Sequence, residues 1–196
     1  MTWTLLYLRS RRVPLALAVA LGGAAVVWAV SLAFAEDRDV TPMVVVLTVL
    51  LMVAALAPTL AGPDENLDRT ASMRWPWRRA GHLLAGLVVV LAVLLATRHT
   101  GARFGPAALV VRDAAGLLGL TAACATVLGA GRSWFLPLAW TIIAALYPQD
   151  GTWAAMATWQ GQPPDSRAAT VTAAVLAVGG LIGYSVAGPA RTDPAD

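Results

Sequence analysis

The sequence has no lysine, and all fourteen of its Lys+Arg positions are arginine. A phosphate-cradling P-loop, GxxxxGK[ST], requires a lysine ammonium at the terminal phosphates. The chain therefore cannot be a P-loop ATPase. Cysteine is reduced to Cys124, inside an apolar run, so no intrachain disulfide can form. Histidine is limited to His82 and His99, each read as a polar residue at a membrane edge. No HExxH, no glycine-flanked nucleophilic serine and no cluster of carboxylates occurs. The sequence thus offers no catalytic constellation, no metal ligand set and no cofactor motif. Charge is scarce too, at 13% of residues, with a net of +3. No basic stripe with interleaved aromatics is present, which argues against nucleic acid as a partner. The small positive balance fits anionic lipid head groups or a polar protein surface.

What the chain does have is oil. Hydrophobic residues make up 58% of it and its mean hydropathy is +0.68, outside the range of soluble domains. Charges divide it into apolar segments, each to be compared with the roughly 20 residues that cross a bilayer as helix. The pattern predicts an all-α, polytopic membrane protein forming a single transmembrane domain over 1–196. Six spans are expected at about 13–35, 40–62, 80–97, 106–131, 133–148 and 168–189. The fifth is the weakest, with only about 14 clearly apolar residues, or roughly 21 Å of helix. Arg11 and Arg12 ahead of an apolar run ending Ala33-Phe34-Ala35 also look like a secretory signal. That run, at about 23 residues, exceeds the usual 7–15, so it is read as a span.

Six spans put both termini on one side, and arginine says which. Arg9, Arg11, Arg12, Arg69, Arg74, Arg78, Arg79, Arg132 and Arg191 fall on one side, and Arg38, Arg98, Arg103, Arg112 and Arg167 on the other. The richer side is expected to be cytoplasmic, in a bacterial plasma membrane.

Five features stand out from this background. Residues 63–79 form a polar loop longer than the 2–8 residues that join neighbouring helices. Within it, Glu65 and Asp68 lie three apart, Leu67 supplies an apolar contact, and Trp75 and Trp77 read as interfacial anchors. Residues 1–12, MTWTLLYLRSRR, suit an amphipathic helix lying on the inner surface. After span five, Pro148 and Gly151 break the helix and Thr152 can cap a new one. Trp153, Met156 and Trp159 then suit a short outer re-entrant segment, stopped by Gly161 and Pro163-Pro164. Finally, Arg112 and Asp113 form a candidate intramembrane pair. Small residues at four-residue intervals mark two packing stripes: Ala115, Gly119 and Ala123, and Gly179 with Gly183.

This order of parts resembles the permease subunit of a type-2 ABC exporter. The stretch Glu65-Asn66-Leu67-Asp68-Arg69-Thr70-Ala71 and the approach to span three, Arg78-Arg79-Ala80-Gly81-His82-Leu83-Leu84, are similar to loops in small actinobacterial permeases of this sort. The resemblance implies a coupling helix between spans two and three, carried here by Glu65, Leu67, Asp68, Arg69 and Thr70. It implies docking on a separate ABC ATPase subunit, which would hold ATP and magnesium, and a translocation path formed as a dimer with a second permease copy or paralogue. Trp153, Met156 and Trp159 would belong to the outer gate. Two other classes share the size and span count: the substrate-capturing subunit of an energy-coupling-factor vitamin importer, whose small-residue helix contact Ala16 and Ala20 would supply, and a non-transporting membrane scaffold or regulator.

Overall fold

Each long apolar segment bounded by charge or by Pro and Gly becomes a helix. The computed structural model of the chain describes residues 8–34, 38–62, 75–146 and 151–190. Among these the regular elements are helical: α1 (Val13–Phe34), α2 (Pro42–Leu56), α3 (Trp75–Ala96), α4 (Ala107–Leu128), α5 (Phe135–Leu146), α6 (Thr152–Ala157) and α7 (Arg167–Ala187), with short 3-10 turns between several of them. Five apolar helical stretches are long enough to cross a membrane: Val13–Phe34, Pro42–Leu60, Pro76–His99, Ala107–Leu128 and Arg167–Ala187. The chain is a multi-pass, all-helical membrane protein. α5, at 12 residues, covers roughly 18 Å of a hydrocarbon core about 30 Å thick, and only a 3-10 turn at Ala130–Arg132 precedes it.

Burial sorts the helices into centre and periphery. Within their apolar windows, α2 and α4 are 61% and 72% buried, against 17% for α1 and α3 and 22% for α7. α2 and α4 therefore form the centre, and the others present leucine and valine outward, as Leu15, Val26, Val88, Val175 and Ile182 do. In water such a surface would aggregate; in hydrocarbon it is solvated. α1 shows the logic in one helix, since Ala16, Ala20 and Ala24 are buried and pack toward α2 while Leu15, Val19, Val26 and Val30 face away. Small residues on the inner face let the backbones approach closely.

α4 and α7 make the most extensive helix contact. Gly119 stands against the backbone of Leu176 and Ala177, and Gly180 against the backbone of Gly119, so close that a Cβ at either position would overlap main-chain atoms. Ala115 and Ala123 of the expected stripe are half-buried on α4. On α7, Gly179 and Gly183 have nothing within 4 Å of the position a Cβ would take. The close approach is made one residue later, by Gly180.

Two differences from the sequence reading concern element ends. α3 begins at Trp75 rather than near 80, because Pro76 suits a first helical turn and the protein takes in the arginines that follow, Arg79 being buried with its guanidinium beside Gly188. α6 is capped by Gly151 at φ 109, not by Thr152, which is its first residue. A backbone in that left-handed region is open to glycine and strained for other residues.

The helices end in two groups. Residues 8–12, Pro58–Gly62, Arg79, Gly131 and Gly188 gather at what we call the amino-terminal end. Residues 38–41, 97–106 and 151–166 lie at the far end, where Val40 N–H donates to Arg103 C=O (2.9 Å) and Arg103 N–H to Arg38 C=O (2.7 Å).

Candidate functional site

The far end holds a buried cation. Arg112, on the second turn of α4, is 6% exposed. Its Nε donates to Asp113 Oδ1 (2.9 Å), Nη1 to the Pro163 carbonyl (2.8 Å) and Nη2 to the Gln162 carbonyl (2.9 Å). The planar guanidinium can serve three acceptors at once because its donors form a rigid fork. One side chain thus closes a carboxylate, a helix and an extended stretch some fifty residues away into a single unit. The pair singled out in the sequence is therefore an ion pair with both side chains buried. Its further partners are backbone carbonyls.

The stretch it holds is the broken segment between α5 and α7. α6 is followed by a 3-10 turn at Trp159–Gly161, and Trp140 Nε1 donates to Ala157 C=O (2.6 Å), tying the turn's approach to α5. Trp159 is fully buried. Its ring fills the space beside Gly116, where a Cβ would lie 2.5 Å from Trp159 Cη2 and 3.0 Å from Ala173 Cβ. Gly116 is nine residues into α4, so the indole reaches roughly 13 Å below that helix's start. Gln160, also buried, donates from Nε2 to Thr141 Oγ1 (3.1 Å) on α5. The three residues singled out for this segment separate: Trp159 is at the core, Met156 is half-buried, and Trp153 is 84% exposed.

Three polar atoms in this region, Asp113 Oδ2, Trp159 Nε1 and Gln160 Oε1, are buried with no hydrogen-bond partner among the described residues. Unpaired buried polar groups are costly. A cavity of about 360 Å³ adjoins Gln160, lined also by Thr41, Met43, Thr141 and Ala144 among others. Chemically the arrangement is a latch: a fixed cation gripping two carbonyls, with spare donors and acceptors beside it. Among the described residues no group of three or more His, Cys, Asp or Glu side chains comes together.

The amino-terminal end carries a second polar cluster that sequence reading did not assemble. Arg11, 3% exposed, donates from Nη1 to the carbonyls of Thr59 (3.4 Å) and Leu60 (3.3 Å). Tyr184 OH donates to Leu60 C=O (2.7 Å), joining α7 to the end of the second span. Thr59 Oγ1 donates to Leu56 C=O (2.7 Å) and lies within hydrogen-bond distance, 3.0 Å, of His82 Nε2. His82 is thus half-buried and engaged within the bundle rather than merely resting at an edge. The available signal was two hydroxyl residues, Thr59 and Tyr184, placed at helix ends in otherwise apolar runs.

Glu65, Leu67, Asp68, Arg69 and Thr70, the residues assigned to coupling, lie outside the described residues, as do residues 1–7 of the expected surface helix. Comparison with known proteins finds no matching family, no matching curated protein and no matching solved structure.

Proposed function

We propose that this chain is the membrane-spanning permease subunit of an ABC exporter, working as a dimer and driven by a separate ATPase. In this reading α5 is a sixth, short crossing and both termini and residues 63–74 are cytoplasmic. The single observation that carries it is the latch: a broken segment folded back between two helices and held by a buried arginine, at the end of the bundle opposite the long polar loop. A gate at one end and a drive loop at the other are what alternating access requires. The shortness of α5 fits the same reading, since segment 151–166 returns to bond it through Trp140 and Thr141. A sequence without lysine cannot form a P-loop, so in this reading the energy enters through the loop.

The vitamin-importer alternative needs the small-residue face of the first span on the outside. Ala16 and Ala20 are 7% and 0% exposed and face α2, which favours the exporter reading.

Charge reversal tests the coupling role. The Glu65→Arg/Asp68→Arg variant should insert and fold like wild type, yet recover at least tenfold less of the partner ATPase on copurification in detergent, because charge-assisted contacts of about 1.5–3 kcal/mol each are replaced by repulsion. Equal recovery and equal ATP hydrolysis would reduce the loop to a linker and remove the exporter assignment.

A further inference from the structure

An apolar groove of about 220 Å³ runs between α1 and α3, floored by Leu56, Leu60 and Leu118 and walled by Leu17, Leu83 and Val89. One margin is polar: Thr59 and His82 line the groove, and Arg11 is bonded to the carbonyls of Thr59 and Leu60 at the same turn. On the other side of that turn lies a second cavity, about 410 Å³, lined by Ser10, Arg11, Arg12, Pro58, Gly62 and Gly131. The two cavities flank the same short stretch of chain, with Leu8 and Val13 turned to the groove and Ser10 to Arg12 turned to the polar space. Arg12 holds this arrangement with a left-handed backbone, φ 56, that breaks the helix between residue 10 and α1.

Charge says what would cover this surface. Among the described residues the amino-terminal end carries Arg9, Arg11, Arg12, Arg78, Arg79 and Arg132 and no carboxylate, since Asp39, Asp113 and Asp165 all belong to the far end. In the sequence, the adjoining stretches 63–74 and 191–196 hold three arginines and five Asp or Glu, so that arginine stays in excess when they are counted with these six. An apolar slot beside a hollow lined by Ser10, Arg11 and Arg12, on the end of a membrane protein with that excess, has the chemistry of an amphipathic anion.

We infer that this surface binds an anionic phospholipid, its phosphate in the hollow at the exposed Arg12 and one acyl chain in the groove between α1 and α3. Guanidinium suits a phosphate because its planar donors match two oxygens together. The groove explains why His82 and Thr59 bond each other at its margin: their polar atoms are paired, so the slot behind them is left to hydrocarbon. The site stands independently of the exporter reading.

The test uses delipidated, full-length protein titrated in detergent with dioleoyl phosphatidylglycerol or dioleoyl phosphatidylcholine and read by native mass spectrometry. Wild type should retain phosphatidylglycerol about tenfold more tightly than phosphatidylcholine. Arg12→Gln, at an exposed position, should remove most of that preference without lowering phosphatidylcholine retention. Ala85→Trp, which fills the groove from an exposed position on α3, should weaken both lipids. Equal retention of the two lipids, or indifference to both substitutions, would overturn the proposal. So would displacement by glycerol 3-phosphate alone, which would make the hollow a free-phosphate site, or a groove that takes no lipid because residues 1–7 occupy it.

Discussion

Replacing Arg112 with leucine is expected to cost the folded bundle about 3–5 kcal/mol, the range seen when one partner of a buried ion pair is removed. The substitution does more than delete a pair. It leaves the Asp113 carboxylate uncompensated at 0% exposure and withdraws the donors that serve the carbonyls of Gln162 and Pro163. Segment 151–166 should detach from α4 and become accessible to protease at the far end. Arg112→Lys should recover part of the loss, because an ammonium restores the charge without the fork that spans three acceptors. The double variant Arg112→Leu/Asp113→Leu should be more stable than Arg112→Leu alone, since no charge is then left buried and unpaired. Thermal unfolding in detergent measures all three. A single leucine variant as stable as wild type would mean that the latch bears no load.

The second large effect is expected at the α4–α7 contact. Gly180→Leu should destabilise by roughly 3 kcal/mol, the upper end of the overpacking range. The clash is with the backbone of Gly119, which no rotamer change can move aside. Gly119→Leu should act alike, since its Cβ would meet the backbone of Leu176 and Ala177. Gly179→Leu and Gly183→Leu meet open space and should fall within about 0.5 kcal/mol of wild type, as surface substitutions do. Equal damage at all three glycines of α7 would place a further contact, such as a second copy, on the Gly179 and Gly183 face.

These positions also show how far the sequence could be read. Charges are so costly inside a bilayer that marking them brought out the long apolar helices, although Arg112 and Asp113 lie inside α4 rather than at its end, and the shortness of α5 followed from counting its apolar residues. α3 was misjudged at its start because the protein takes in the arginines there, Arg79 being buried with its guanidinium beside Gly188. The Arg112–Asp113 pair was visible as charge beside the membrane. Its carbonyl partners were not, because a backbone acceptor fifty residues away leaves no mark in composition. Gly179, Gly180 and Gly183 are equally small, and only the facing helix decides which one makes the contact. Trp153 and Trp159 likewise read as equals, yet one is 84% exposed and the other 0%, since Gly116 offers a socket to the second alone.

The most direct test of a cytoplasmic drive loop opposite an outward latch is single-cysteine labelling in a Cys124→Ser background. One cysteine replaces Thr70 in the loop; the other replaces Trp153, whose exposure at the far end makes it reactive. In intact cells a membrane-impermeant maleimide should label Trp153→Cys, and Thr70→Cys should react only after permeabilisation. Labelling of Thr70→Cys from outside, or of both positions from the same side, would contradict the orientation and with it the permease assignment.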